Sequence, residues 1–270
     1  MELLHPFDAG TAIEPAGPGR WQAQLHRAWW IFAGPNGGYV AAILLRAMRA
    51  AVADDSRFPR SVTIHYLRAP AEGPLDVAVT VERSGRSVTS VSLRAQQGGK
   101  VVALAAGAFA APIPGIAYDE TAMPTVPPAA QIARTVPPPG AAPPLIDNFD
   151  VRPVIGPWPA GRGEEAVIGA WIRLDPSRPL DALALAILAD TLVPAPFART
   201  GPAAAPTVEL TLHYRTSDPA ALPAAGEHVL VVMRAPLSRE GFFSEDAEIW
   251  SPDGTLLLQA RQLALLRAPG

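Results

Sequence analysis

The chain contains no cysteine. That absence removes disulfides, zinc–thiolate centres and thiol nucleophiles together, and it fits a reducing compartment. Excess charge of either sign is missing too: the formal net charge is −3 and charged residues make up 17% of the chain, which gives no basis for binding nucleic acid or an anionic membrane. The longest apolar run, "VVALAAGAFAAPIPG", is too short and too rich in glycine and proline to span a bilayer. The opening "MELLHPFDAG" has no basic stretch leading into an apolar one, so no secretory signal is read there. A soluble, cytoplasmic protein without nucleic-acid or membrane partners is expected. There is no P-loop, no dinucleotide fingerprint behind a strand, no G-x-S-x-G elbow and no zinc-like spacing. "GPNGG" is glycine-rich but precedes no lysine and follows no clear strand. No cofactor and no metal are expected.

What the chain does have is apolar surface: hydrophobic residues are 49% of its 270 positions, enough for one large core or two ordinary ones. Ten of the 31 prolines fall between Pro112 and Pro144. Proline fixes φ and removes a backbone donor, so this stretch reads as a semi-extended linker. The expected organisation is an N-terminal unit over 1–111, a linker over 112–147 and a C-terminal unit over 148–270.

The two units read as copies of each other. The first runs from a helix ("GGYVAAILLRAM") through "VTIHYLRAP", "LDVAVTVE" and "SVTSVSLRA" to a "QGGK" turn and "VVALAAGAFA". The second runs from a helix ("LALAILADTL") through "LTLHYRTSDP", "EHVLVVMRA" and "EDAEIWS" to "SPDG" and "TLLLQARQLALL". Both carry a His-Tyr pair, His65–Tyr66 and His213–Tyr214, and both place a glycine turn before the last strand. One helix followed by an antiparallel meander, twice over, is an internal duplication of α+β class. In the first helix Val40, Ile43, Leu44, Ala47 and Met48 fall at i, i+3, i+4, i+7 and i+8, which predicts one face on a sheet. The second helix has no polar face, so it is expected to be enclosed more completely. Within it stands one carboxylate, Asp190, and an ionised group there is costly unless it is paired, hydrogen-bonded or used. The two histidines, kept in both copies, are expected to be structural hydrogen-bonding groups.

At this point the chain resembles the double hotdog proteins of the acyl-CoA thioesterase II type. The stretch "SVTIHYLRAPAEGPLDVAVTVERSGRSVTSVSLRAQQGGKVVALAAGAFAAP" is similar to that family's first sheet, and "NFDVRPV" to the segment that opens its second half. The implied fold is a tandem double hotdog, in which two long helices are each wrapped by a curved antiparallel sheet and packed as a pseudo-dimer. The catalytic set that the resemblance implies is an Asp, a Ser/Thr and a Gln. These fall on Asp190 in "ILADTLVP", Thr207 in "APTVELTLHYR" and Gln262 in "QARQLALLR", with Glu209 and Thr211 as alternatives for the hydroxyl position.

Thioester hydrolysis needs an activated water or carboxylate nucleophile, and donors for the oxygen that becomes negative. Single-unit hotdog thioesterases often combine a Gly-Gly helix start with an Asp two turns later. Here the features are separated: Gly37-Gly38 open the first helix, where Leu44 and Leu45 stand at the Asp place, and Asp190 sits in the second helix, where Leu183 stands at the glycine place. One composite site per chain is expected, with Gly37 and Gly38 offering backbone N–H groups to the thioester carbonyl and the sister site dead. A tunnel for the acyl chain is expected along Leu185, Leu188, Val40 and Leu44. Arg83, Arg86 and Arg239, at hairpins, are the candidate contacts for a CoA phosphate. The expected reaction is hydrolysis of a fatty acyl-CoA; the alternative is a non-catalytic acyl-CoA or lipid-binding hotdog protein. Hydratase chemistry, which usually wants an Asp-His pair, is disfavoured because no histidine lies near Asp190 in sequence. A homodimer or larger assembly is expected, since curved sheets leave exposed edges.

Overall fold

The computed structural model describes residues 4–159, 161–217 and 221–267. Among the described residues a single twelve-stranded antiparallel sheet runs through both halves. Its first half is built from β1 (Ile13–Gly17), β2 (Arg20–Leu25), β3 (Phe58–Tyr66), β4 (Gly73–Ser84), β5 (Thr89–Gln97) and β6 (Lys100–Ala110). The second half is built from β7 (Phe149–Ile155), β8 (Val167–Leu174), β9 (Thr207–Tyr214), β10 (Val229–Arg239), β11 (Phe242–Trp250) and β12 (Leu256–Leu265). The spatial order is β1-β2-β4-β5-β6-β3-β9-β12-β11-β10-β8-β7, so the second half repeats the first half's connections in mirror sequence across the β3–β9 seam. A short helix α1 (Pro6–Gly10) precedes β1, α2 (Gly37–Val52) lies between β2 and β3, and α3 (Ala182–Leu188) lies between β8 and β9. The duplication therefore includes two strands ahead of each helix, beyond the helix-first repeat read from the sequence.

The register at the seam identifies the pseudo-two-fold axis. Thr63 pairs with Thr211, Ser61 with His213 and His65 with Glu209, and the two threonine hydroxyls meet at 3.0 Å. Each tyrosine of the His-Tyr pairs donates to the start of its own unit's helix: Tyr66 to the Gly37 carbonyl at 2.8 Å and Tyr214 to the Ala182 carbonyl at 3.1 Å. The structural hydrogen bonds of this repeated dipeptide thus belong to the tyrosines, while both histidine side chains are exposed.

The concave face of the sheet covers both helices, and α2 packs on α3. Each helix starts at an Asx cap: Asn36 accepts from the Tyr39 N–H and Asp181 from the Ala184 N–H. The helix α2 is buried on nearly every side, including Tyr39, Ala41, Ala42 and Leu45 outside the predicted face. Its Arg46 reaches Asp8 and Thr11 of the preceding segment. The single apolar face expected for α2 is corrected accordingly; the sheet takes one side and the partner helix and N-terminal segment take the rest. Tyr39 also stacks on Trp29 at 5.5 Å, and Trp29 meets Phe149 of the second half edge-on.

The proline-rich segment is extended, and it is packed. Met123, Val126 and Ala129 cover a small second core of Trp171, Leu230, Val232, Trp250 and Leu256 on the outer face of the second sheet half. The Trp171 indole N–H donates to the Pro127 carbonyl at 2.8 Å. A carbonyl with no donor of its own to satisfy suits that role.

Candidate active site

Helix α3 is shorter than its apolar run. It ends at Leu188, and Asp190 stands in the turn after it rather than on the helix. The last turn is closed locally, with the Thr191 hydroxyl on the Ile187 carbonyl at 2.7 Å and the Asp190 N–H on the same carbonyl at 3.1 Å. Pro194 follows and prevents resumption. Gly38 lies directly against this end: a Cβ there would stand 2.8 Å from the Ala186 and Ile187 carbonyl oxygens. The N-terminus of one helix therefore meets the C-terminal turn of the other at a distance only glycine permits.

That meeting defines the environment of Asp190. Its Oδ2 accepts from the Gly38 N–H at 2.9 Å and from Asn36 Nδ2 at 3.1 Å, and Asn36 Nδ2 also donates to the Asp190 carbonyl at 2.6 Å. A carboxylate at a helix N-terminus is favoured by the free N–H groups and the helix dipole. Burial nevertheless prevails, pushing the carboxyl up to about 6 against the opposing pull of the Gly38 and Gly37 N–H groups and Asn36. The expectation that Gly38 aims its N–H at a substrate carbonyl is corrected, because the single hydrogen on its nitrogen is already given to Asp190.

Thr207 and Gln262 meet on neighbouring strands. The Thr207 hydroxyl donates to Gln262 Oε1 at 3.0 Å, and Gln262 is only 5% exposed. A β-bulge at Val208 makes this possible: β9 and β12 pair Leu263 with Glu209 but Ala264 with Thr207. Strand residues alternate between faces, so one extra residue turns Thr207 inward while Glu209 and Thr211 stay on the outer face. There Thr211 bonds Glu209 at 2.5 Å and faces Thr63. Of the three candidates for the hydroxyl position, Thr207 alone touches Gln262.

Among the described residues no hydrogen bond joins Asp190 to Thr207 or Gln262; the connection runs through Glu245. This glutamate, 1% exposed, accepts from Gln262 Nε2 and from the Ala195 N–H, both at 2.5 Å, so it ties the segment following Asp190 to the Thr207–Gln262 pair. Burial, reinforced by the charges of Asp190 and Asp246, pushes it up to about 8 despite those two donors. Neither Glu245 nor Asn36 was singled out from the sequence. Two signals point to them: Phe243, Glu245, Ala247 and Ile249 alternate as one inward face of β11, and Asn before Gly-Gly at a helix start is a cap signature.

The register also fixes what stands at the pseudo-equivalent place. The pair Glu245–Gln262 corresponds to Val91–Gly107, and Thr207–Ala264 corresponds to Pro59–Phe109, with the same bulge in the first half. A side chain at Gly107 would meet Met48, Phe109 and Val91 instead of a polar partner. Thr207, Glu245 and Gln262 thus have Pro59, Val91 and Gly107 as their counterparts, none with a polar side chain.

Other expected features lie elsewhere. Leu185, Leu188, Val40 and Leu44 are buried in the core, and two surface clefts of about 720 and 880 Å³ are lined by other residues. Arg83 and Arg86 belong to the β4–β5 hairpin, beside the apolar counterpart of the site. Arg239 belongs to the corresponding β10–β11 hairpin, where Phe243 pairs with Ala264, itself the partner of Thr207. Among the described residues no group of acidic, histidine or cysteine side chains could hold a metal ion, and no helix is long and apolar enough to cross a membrane.

Two sheet halves around paired helices, with a buried and a half-buried carboxylate between them, are a double hotdog arrangement. Comparison with known proteins agrees: residues 26–110 match the acyl-CoA thioesterase N-terminal domain and residues 122–266 the acyl-CoA thioesterase C-terminal domain. The chain belongs to the acyl-CoA thioesterase family. It is similar to a conserved hotdog-fold protein of unknown function from Alicyclobacillus acidocaldarius, at 31% identity and a TM-score of 0.90 over 99% of this chain and 100% of that one. An acyl-CoA thioesterase II from Mycobacterium marinum shares the fold at 20% identity and a TM-score of 0.79, over 98% and 99% of the two chains. An uncharacterised protein of Mycobacterium tuberculosis is 28% identical over 98% of this chain and 96% of its own length.

Proposed function

We propose that the protein hydrolyses fatty acyl-CoA thioesters at one composite site per chain, with Asp190 as the general base. The observation that carries this reading is the Asp190 carboxylate, half-buried yet held ionisable by the opposite helix N-terminus, with its titration moved up to about 6. A base in that range is ionised at neutral pH and still strong enough to take a proton from water. The water oxygen attacks the thioester carbonyl as Asp190 receives the proton. The C–S bond then breaks, and that proton passes to the leaving thiolate, giving a free acid and CoA. Gly37, Gly38 and Asn36 serve in this reading to hold the ionised carboxylate. Gln262 keeps one unused amide hydrogen beyond its bond to Glu245. That hydrogen is the donor available to the reacting oxygen atoms, while the Thr207 hydroxyl, whose own hydrogen goes to Gln262 Oε1, orients the carboxamide. Arg239, on the hairpin beside Thr207, is assigned to the CoA phosphates; Arg239→Ala is expected to raise KM several-fold with kcat little changed.

The test follows released thiol from acyl-CoAs of graded chain length with a thiol reagent, for which the cysteine-free chain gives no background. Thiol release that saturates with substrate supports the proposal. Tight acyl-CoA binding without thiol release at any chain length would leave the non-catalytic binding reading in its place.

A further inference from the structure

The site contains a buried acid to which the hydrolysis above assigns no step. Glu245 occupies an inward position where the sister strand has Val91, so packing alone does not account for a carboxyl there. Its two oxygens take the Ala195 N–H and Gln262 Nε2, and the other end of the Gln262 carboxamide takes the Thr207 hydroxyl. We infer that Glu245 is a positioning residue that sets the direction of the Glu245–Gln262–Thr207 hydrogen-bond chain, and thereby decides whether the Thr207 proton is free for the reacting oxygen. This rests on the thioesterase reading.

The two directions follow from donor inventory. When Glu245 is ionised it can only accept, so Gln262 turns its nitrogen to Glu245 and its oxygen to Thr207, and the Thr207 proton is spent on Gln262. When Glu245 holds a proton, its O–H can donate to the Gln262 oxygen. A half-turn of the carboxamide exchanges its oxygen and nitrogen at the same positions. The amide nitrogen then donates to Thr207 Oγ1, and the Thr207 hydrogen is released toward the site. The only change in composition is one proton on Glu245, while the Ala195 N–H still donates to the second carboxyl oxygen.

Charged groups around Glu245 favour the protonated form near neutrality. Asp190 faces it from the turn after α3 and Asp246 follows it on β11. On the outer face Asp246 is held by Arg261 of β12 and pairs across from Arg234 of β10. With Asp190 titrating at about 6 and Glu245 at about 8, the charge rests on Asp190 and the proton on Glu245 between those values. Environment thus separates two carboxyl groups into a base and a proton holder.

The experiment combines pH–rate profiles of thioester hydrolysis with an infrared titration of protonated carboxyl groups in the whole protein. In the native protein kcat is expected to fall as pH passes about 8, as a buried carboxyl band disappears over the same range. Glu245→Gln, a permanent donor, is expected to retain measurable turnover with the alkaline limb and the band both gone. Thr207→Val, which leaves the chain nothing to direct, is expected to lose the limb while keeping the band. Gln262→Leu, which removes a donor to the ionised form, is expected to move the band's midpoint upward. A limb that survives in Glu245→Gln or Thr207→Val, or a midpoint unmoved in Gln262→Leu, would overturn the chain. If the native protein hydrolyses no thioester, the proposed function fails, and the infrared arm alone still decides whether Glu245 and Gln262 are coupled.

Discussion

Asp190 shows how a single charge is tolerated among apolar neighbours. Its cost is visible in the raised titration, and its retention is explained by the donors that Gly38 and Asn36 of the first unit bring to it. Because the folded state raises its pKa from 3.8 to about 6, Asp190 favours folding most below about pH 4, and that contribution is lost as pH rises through about 6. Asp190→Asn is therefore expected to be at least as stable as the native protein, by about 2 kcal/mol at pH 8, while losing about a thousandfold in kcat. Thermal melts and thiol release on the same sample check both directions. Asp190 was legible in the sequence because it interrupts an apolar run. Glu245 was not, since its strand contains three acidic residues, Glu245, Asp246 and Glu248, and only the strand's assigned face separates the buried one from the two half-buried ones on the outer face.

At the scale of elements, the helix start at Gly37-Gly38 was legible and its purpose was read differently. Glycine there signals close approach; the sequence cannot say what approaches. The structure answers with the last carbonyls of α3 and the Asp190 carboxylate. Gly38→Ala places a Cβ against two backbone oxygens at 2.8 Å, and backbone cannot move aside as a flexible side chain can. The expected cost is about 2–4 kcal/mol, read as a lower Tm together with lost activity. A variant that melts like the native protein would show that the helix ends are not in close contact. The bulge at Val208 was also beyond sequence reading. It is defined by how β9 pairs with β12, and it decides which of Thr207, Glu209 and Thr211 faces inward.

At the scale of the whole molecule, the duplication was legible as repeated dipeptides and turns, whereas the two leading strands of each unit were not. They are short or Gly/Pro-containing, as in "IEPAG" and "FDVRPVI", and they are held by pairing with neighbours distant in sequence. The repeat supplies the seam, and divergence between its halves leaves polar groups on one side of the pseudo-axis only. Stability should show that asymmetry as a pH optimum on the acid side of neutrality. Asp8 and Asp150 are held below the usual range, Asp8 by Arg178 and Arg46 and Asp150 by Arg152, His228 and Arg173, in both cases against the opposing effect of burial. Their stabilisation is present above about pH 4 and lost as pH falls further. The raised Asp190 and Glu245 act in the opposite sense, and their stabilisation is lost as pH climbs from about 4 toward about 8. Denaturant unfolding across pH should therefore give its highest stability between about pH 4 and 6, with Glu245→Gln flattening the decline above that window. A native protein whose stability rises steadily from pH 5 to 8 would contradict this distribution of charge.

The central claim is that Asp190, held at the start of the opposite helix, is the base of one composite site. The most direct measurement is the pH dependence of kcat/KM for thiol release by the native protein and by Asp190→Asn. The account predicts an acid limb at about pH 6 in the native protein and about a thousandfold loss in the variant at every pH above it. Turnover in Asp190→Asn within tenfold of the native value, with the acid limb in place, would contradict it.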